Sequence, residues 1–208
     1  QGGINKPNTL GGAIKSGLQS QATKILQRTE PDSWSKQLEK RAKALCNANP
    51  EEPSGFDWDS WRSGVTCVSK ELGVRHMMIL IKTWLNSWTT STRMHDDSID
   101  GCLFCCGGGD ALHHYLRCDH LWTIVVSCAR LDCRWLKCSP SQRIGFVDPT
   151  LTSLLLAVVA FRVYHAMRGR RREGLHDPDD PGGECCWAVD LANHFYTEIP
   201  AKLRRQMM

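Results

Sequence analysis

The sequence has no sustained alternation of apolar and polar residues, and its β-branched residues are scattered. This absence argues against a sheet and predicts a mostly α fold, because a half-buried strand needs a two-residue period. Long apolar runs are missing as well. The best run, Leu151 to Phe161, has only about half of the roughly twenty apolar residues that a membrane-spanning helix needs. We therefore predict that it is a buried core helix.

Charge of one sign is not in large excess, since the formal net charge of the 208 residues is only +4. The whole chain is therefore not a polycation, and its basic charge is local. We interpret two basic clusters as candidates for binding the phosphates of RNA or DNA, although most basic runs are solvated faces. They comprise Arg162, Arg168, Arg170, Arg171 and Arg172 and, near the C-terminus, Lys202, Arg204 and Arg205.

An apolar signal segment is missing at the N-terminus, and the first residue is Gln1 instead of methionine. We expect a piece of a longer protein from a reducing compartment, nuclear or cytoplasmic and not secreted, with no membrane partner. The 11 cysteines fit this expectation, because adjacent pairs such as Cys105-Cys106 and Cys185-Cys186 make poor disulfide frameworks. The thiols in excess of any site are predicted to be reduced and buried.

Apolar residues recur at helical spacing along most of the chain, and no internal repeat is present. The expected fold is a helical bundle with an inserted metal-binding turn. It has three segments: an N-terminal helical segment 1–75, a central module 76–135 and a C-terminal helical segment 136–208. The pattern predicts helices over 10–27, from 31 to about 46, and over 56–73, 74–90, 110–131, 150–167 and 184–205, the fifth with Asp110 as N-cap and the last bent at Pro200. Residues 135–147 are predicted to form a short irregular connection.

The densest group of soft metal ligands lies between Cys102 and Cys118, with a run of three glycines inside it. A Cys-x2-Cys pair brings two thiolates to one ion from a tight turn, and glycines let the backbone fold back without Cβ clashes. His114 and Cys118 are four residues apart and therefore share one face of a helix. The spacing predicts a CCHC site for a structural zinc ion.

Two adjacent pairs leave the ligand set open. The second cysteine is Cys105 or Cys106, and the histidine is His113 or His114, whereas Cys102 and Cys118 belong to every version. His114 is preferred because Tyr115 and Leu116 then continue a core face. The alternative interpretation is a cluster of reduced core cysteines with surface histidines, which leaves the two histidines and the three glycines unexplained.

The 8 tryptophans are spaced as residues on helical faces, for example Trp58 with Trp61 and Trp84 with Trp88. We predict core packing for them, and stacking on unpaired bases is the alternative for Trp88 or Trp122. Arg93 and Arg117 flank the cysteine-rich turn and are better candidates for contacting a phosphate.

Three stretches around the turn carry a resemblance to a known family. They are Trp84-Leu-Asn-Ser-Trp-Thr-Thr-Ser-Thr-Arg-Met-His95, Cys102-Leu-Phe-Cys105, and His114-Tyr-Leu-Arg-Cys118-Asp-His-Leu-Trp122. Together they resemble the zinc-binding region downstream of the polymerase domain in LINE-like (non-LTR) retrotransposon reverse transcriptases. The resemblance covers about residues 80–125, roughly a fifth of the chain. Where that family usually has one cysteine after the turn, this chain has two.

The resemblance implies a structural Zn2+, a nucleic-acid-binding role during target-primed reverse transcription, and two partners. These are RNA or DNA, bound without regard to sequence, and the polymerase portion of the same polyprotein. Residues 1–75 would then be a thumb-like segment or a connector. By the same resemblance, the zinc ligands are Cys102, Cys105 or Cys106, His114 or His113, and Cys118. The basic clusters and the positions beside the turn supply the nucleic-acid-binding candidates, Arg93, Arg117, Arg168, Arg170, Arg171 and Arg172.

The chain is not expected to be an enzyme on its own. The family's polymerase chemistry uses an aromatic-(Ala/Met)-Asp-Asp turn, whereas Asp96-Asp97 here follows Met94-His95 and Asp179-Asp180 lies in a Pro/Gly loop. A zinc deaminase needs His-x-Glu beside Pro-Cys-x-x-Cys, which is absent as well. A second metal site from Cys128, Cys133, Cys138 and His120 is a minor alternative. A different function is a zinc-stabilised protein–protein scaffold that binds no nucleic acid.

Overall fold

The computed structural model describes residues 36–41, 57–95, 101–175 and 181–207. The chain divides into two compact units, Gln1–Glu39 and Lys40–Met208. Helices account for 69% of the described residues, and there is no strand among them, so the prediction of a mostly α fold is confirmed. Residues 36–41 are helical, and the rest of the two predicted helices before residue 47 lies outside the described residues.

The described residues of the second unit form shorter helices around one long helix. Its helices are α1 Trp58–Ser69, α2 Val74–Trp84, α3 Ser91–Met94, α4 Leu112–Tyr115, α5 Asp119–Cys128, α6 Pro140–Arg143, α7 Leu151–Arg172, α8 Pro181–Thr197 and α9 Ala201–Met207, and a 3₁₀ helix spans Cys133–Lys137. The predicted bend at Pro200 is confirmed, because α8 ends at Thr197 and α9 begins at Ala201. The segment predicted to be irregular holds the 3₁₀ helix and α6 instead. A reciprocal pair of hydrogen bonds between Ser139 and Gln142 caps α6.

Helix α7 is the centre of the core and contacts α2, α5, α6, α8 and α9. Its first four turns are almost entirely buried, from Thr152 to Phe161 and on to Tyr164. By length and composition this helix could cross a membrane, and it is the one such helix in the described part of the chain. However, 78% of its most apolar window is buried inside the protein. The prediction of a buried core helix is therefore confirmed.

Core packing is confirmed for Trp61, Trp84, Trp88 and Trp122, which are buried. It is wrong for Trp187, which is 42% exposed, and Trp135 is half-buried. The side chains of the other two tryptophans lie outside the described residues. Trp88 and Trp122 are 1% and 2% exposed, so neither can stack on a base. The rings of Trp61 and Trp84 meet edge to face with centroids 5.0 Å apart. Their indole N–H groups donate to the carbonyls of Gly145 and Ile144, which ties α1 and α2 to the turn after α6.

Candidate metal centre

The first half of the site is a turn that starts at Cys102. The Cys105 N–H donates to the Cys102 carbonyl at 3.2 Å, and the Phe104 N–H donates to the Cys102 sulfur at 3.4 Å. Leu103 and Phe104, which point into the core, are almost completely buried. The burial of these two apolar side chains therefore fixes the position of the turn. The Cys102 sulfur then lies beside the Cys118 sulfur.

The second half comes from α4 and the start of α5. His114 lies in α4, and Cys118 is the N-cap residue of α5. The predicted continuous helix over 110–131 is wrong, because α4 ends at Tyr115 and α5 begins at Asp119. The buried Arg143 guanidinium donates to the Leu116 carbonyl at 3.1 Å in this break. The two ligands are therefore supplied by α4 and by the residue that begins α5, and not by one continuous helix.

Four donor atoms converge between these halves. The sulfurs of Cys102 and Cys118 are 3.8 Å apart, those of Cys118 and Cys106 are 3.6 Å apart, and His114 Nε2 lies 3.0 Å from the Cys106 sulfur. All four ligand atoms lie within 4.8 Å of one another. Two thiolates bound to one tetrahedral ion at about 2.3 Å would be about 3.8 Å apart. The cluster can therefore hold one metal ion with a complete tetrahedral shell.

The structure separates the adjacent candidates. Cys106 and His114 belong to the cluster, whereas Cys105 and His113 are exposed and lie outside it. Cys105 has φ +54, a left-handed conformation that non-glycine residues rarely adopt. This conformation turns the chain so that the next residue, Cys106, reaches the site. The ligand spacing is therefore Cys-x3-Cys with His-x3-Cys, one of the combinations that the sequence left open.

The glycines in the loop have different roles. Gly107 adopts φ +79, and a Cβ on Gly108 would lie 2.0 Å from an atom of the His114 ring. Gly109 has open space around its Cα. Only the first two are therefore required by the site, one for the turn and the other for the close approach of the imidazole.

Contacts within the cluster and burial set the protonation of two of its donors. A hydrogen bond with the Cys118 sulfur, together with burial, raises the pKa of Cys102 well above its usual range, so that thiol stays protonated when no cation is near. Burial, with a smaller contribution from His113, lowers the pKa of His114, so its imidazole is neutral and Nε2 can act as a ligand. Sulfur and imidazole donors of this kind suit a soft or borderline cation.

The Asp110 carboxylate anchors the same loop from inside. It accepts a hydrogen bond from the Arg168 guanidinium at 2.5 Å, from the Ser91 N–H at 2.6 Å, and from the hydroxyls of Tyr115 at 2.7 Å and Tyr164 at 3.2 Å. The Tyr115 hydroxyl in turn accepts the Leu103 N–H at 3.2 Å. The loop, α3, α4 and α7 therefore meet at one buried carboxylate.

These contacts correct two predictions. Asp110 is not an N-cap, because Ala111 precedes α4 and Asp110 is used as a buried acceptor instead. Arg168 is not a phosphate-binding residue, because its side chain is only 3% exposed and is paired with Asp110. A guanidinium buried in this way cannot reach a polyanion outside the protein. The sequence signal for both residues was local, whereas their partners come from distant segments.

The other predicted arginines lie at or near the surface. Arg93 is exposed at the end of α3 and donates to the Trp88 carbonyl at 3.5 Å, and Arg117 is exposed between Cys118 and α4. Arg170 lies over the ring of Trp187 at 4.2 Å, Arg171 is half-buried, and Arg172 is exposed. Arg93 and Arg117 therefore lie on the elements on either side of the metal loop, whereas Arg170, Arg171 and Arg172 lie in the last turn of α7.

The alternative metal group of Cys128, Cys133, Cys138 and His120 is not assembled. Among the described residues, the cluster of Cys102, Cys106, His114 and Cys118 is the only group of three or more such side chains that could hold an ion. His120 Nδ1 instead donates to the Phe104 carbonyl at 2.7 Å, which fastens α5 to the first turn. Burial raises the pKa of Cys128 to about 12, so this thiol is protonated at neutral pH.

Comparisons with protein-family models, with curated proteins and with solved structures found no match to this chain.

Proposed function

We propose that this chain is a zinc-binding, nucleic-acid-binding portion of a retroelement reverse transcriptase polyprotein, without catalytic activity of its own. One observation carries the proposal: the donor atoms of Cys102, Cys106, His114 and Cys118 lie within 4.8 Å of one another. Three sulfurs and one imidazole nitrogen are a common donor set for zinc, and their spacing suits its tetrahedral geometry. Bound zinc would supply structural cross-linking at this site.

The donor set supports a structural and not a catalytic role for the ion. Catalytic zinc keeps one coordination position open for water or substrate, whereas four protein ligands complete the shell. The reduced thiols would require a reducing compartment, nuclear or cytoplasmic, as we expect for this chain.

Nucleic-acid binding is supported by the position of the two exposed arginines beside the cluster. Arg93 and Arg117 lie on elements that meet at the metal loop, and guanidinium groups bind phosphate oxygens in two-pronged geometry. The resemblance around residues 80–125 supplies the family part of the proposal. The alternative function is a zinc-stabilised scaffold that docks on the polymerase portion and binds no nucleic acid.

The metal part is tested by comparing two adjacent cysteines. We expect about one equivalent of zinc in the purified chain, loss of this zinc in Cys106→Ser, and retention in Cys105→Ser, because only the Cys106 sulfur lies in the cluster. Elemental analysis of the three proteins measures the ratio. Equal zinc contents in the two variants would contradict the ligand assignment.

The nucleic-acid part is tested by titrating labelled single-stranded RNA and DNA with the wild-type chain at low and at moderate salt. We expect binding that weakens steeply with salt and is insensitive to sequence, because phosphate contacts release counterions. In the Arg93→Gln/Arg117→Gln variant the salt dependence should become shallower while the zinc content is unchanged. If the chain binds zinc but shows no salt-sensitive binding to RNA or to DNA, the result supports the alternative function, a zinc-stabilised scaffold.

A further inference from the structure

A pocket of about 450 Å³ lies at the opposite end of α5 from the metal cluster, where this helix, α8 and α9 meet. Its wall includes the side chains of Arg130, Arg204 and Arg205 together with Tyr196 and Asn193. Its volume falls within the range of small-molecule sites, about 300–1,000 Å³. We call it the arginine pocket.

In the described part of the chain, no ion pair neutralises the three arginines of the arginine pocket. The described carboxylates nearby bind other cations, since Asp132 pairs with Arg134, and Glu198 with Arg162. The ends of α5 and α8 contribute about half a negative charge each at most. Three guanidinium charges exceed this, so the pocket favours an anion.

Hydrogen-bond donors accompany the charges. The Arg204 Nε–H group donates a hydrogen bond to the Ile199 carbonyl at 3.0 Å. The Arg204 guanidinium lies 5.7 Å from the centroid of the Tyr196 ring. Burial raises the pKa of Tyr196, so its hydroxyl is protonated and can donate. The Asn193 amide lies in the same wall. Planar guanidinium groups with neutral donors beside them match the oxygens of a phosphate group.

The backbone at Arg130 is an independent observation. Arg130 lies just after the end of α5 and has φ +54. The Arg130 N–H donates to the Ser127 carbonyl, and the Leu131 N–H donates to the Val126 carbonyl. This pair of bonds defines a helix end at which glycine is strongly preferred.

The same helix end occurs elsewhere in the chain, after α2 with Asn86 and at two places with glycine. Gly145 after α6 and Gly174 after α7 have φ +69 and +71 and make the equivalent two hydrogen bonds. An arginine at this position is strained relative to glycine, and strain of this kind is found where a side chain has a function. At Arg130 the strained backbone carries a side chain that lines the arginine pocket.

We infer that the arginine pocket binds a phosphate group, supplied by the backbone of the nucleic acid that the chain binds. The pocket is a second contact point, made by Arg130, Arg204 and Arg205 at the end of α5 remote from Arg117. The inference rests on the proposed nucleic-acid-binding function. Free inorganic phosphate carries the same oxygens as a backbone phosphate, so binding of RNA and binding of inorganic phosphate are measured separately.

The test uses Arg130→Gly in the full chain, because glycine suits the backbone at this position. We expect a melting temperature no lower than that of the wild type, and roughly tenfold weaker binding of labelled single-stranded RNA. The slope of log affinity against log salt should become shallower by about 0.7, which corresponds to one lost phosphate contact. Arg205→Gln should weaken binding in the same way, and Arg130→Lys should restore part of it because it retains the charge.

Arg62→Gln is the matched control, since Arg62 is exposed on α1 and loses the same single charge. If Arg130→Gly and Arg205→Gln bind RNA no more weakly than Arg62→Gln, the arginine pocket is not a phosphate site for nucleic acid. If only the affinity for inorganic phosphate falls, the pocket binds free phosphate and the inference is overturned. If the wild-type chain binds neither RNA nor DNA, the proposed function itself fails.

Discussion

The metal cluster and the Asp110 network hold the same loop in two different ways. The four metal-binding side chains are supplied by the stretch from Cys102 to Cys118, and their donor atoms meet at one point. Asp110 instead binds groups from Ser91 to Arg168, which bring α3 and α7 to the loop. The cluster therefore determines the shape of the loop, whereas the carboxylate determines where the loop sits on the core.

The difference has an energetic consequence. A structural zinc site can contribute on the order of 10–16 kcal/mol of apparent folding free energy, and this contribution disappears when the ion is removed. A buried ion pair contributes little net stability, but loss of one partner leaves an uncompensated charge inside the protein. Removal of the ion should therefore unfold only the loop, and added metal should reverse this. Loss of the Asp110 charge should also destabilise α7, because Arg168 lies in that helix.

The largest expected effect is that of metal removal. A chelator, or Cys118→Ser, should remove hydrogen-exchange protection from residues 101–118 while the buried turns of α7 stay protected, because only the loop depends on the cross-link. Exchange measured by mass spectrometry with and without added zinc checks this. Protection that is lost equally in α7 would show that the two regions are not independently held.

The next effect is that of Asp110→Asn, which leaves the Arg168 guanidinium buried without a counter-charge. We expect a loss of about 3–5 kcal/mol in the free energy of unfolding, measured by urea denaturation. The double variant Asp110→Asn/Arg168→Met should recover a large part of this loss, because the buried charge is then gone. Zinc content should be retained in both. A double variant as unstable as the sum of its single changes would contradict a direct pair.

A smaller loss of stability should follow from the protonation of His165 at acidic pH. The His165 ring packs against the rings of Phe161 and Tyr164. Burial, together with Lys82 and Arg168, lowers the pKa of His165 from its ordinary 6.5 to about 4. Between these values the unfolded chain binds the proton more readily, so stability falls as pH decreases from 6.5 and the loss is complete below about 4.

The size of this loss should be on the order of 3 kcal/mol for His165 alone. It is obtained as the difference between the wild type and His165→Gln in denaturation experiments at a series of pH values, because the contribution of the metal ligands cancels. Parallel curves for the two proteins would mean that His165 is not buried in its neutral form.

The smallest expected effect distinguishes two adjacent glycines in the metal loop. Gly108→Ala places a methyl group 2.0 Å from the His114 ring and should weaken metal binding by about 1–3 kcal/mol, whereas Gly109→Ala has open space and should change little. Competition for zinc against a coloured chelator measures both. Equal affinities would show that the imidazole does not approach the loop as described.

Much of the cluster could be predicted from the sequence, because its ligands are close neighbours along the chain. The choice between adjacent ligands could not, since it depends on one left-handed residue, Cys105, and on the approach of His114 to Gly108. The sequence predicts a helix cap at Asp110, because an acidic residue just before a helix usually is one. Its true role depends on Tyr164 and Arg168, more than fifty residues away.

The helical character of the chain, the break at Pro200 and a compact set of sulfur and imidazole ligands follow from residue types and short spacings alone. They are local properties, set by backbone preferences and by groups only a few residues apart. Tertiary packing decided that Arg168 points inward and that Arg130 meets Arg204 and Arg205 in one pocket. The burial of a charge, or its exposure beside others, depends on which helices pack against each other, and no local pattern contains that information.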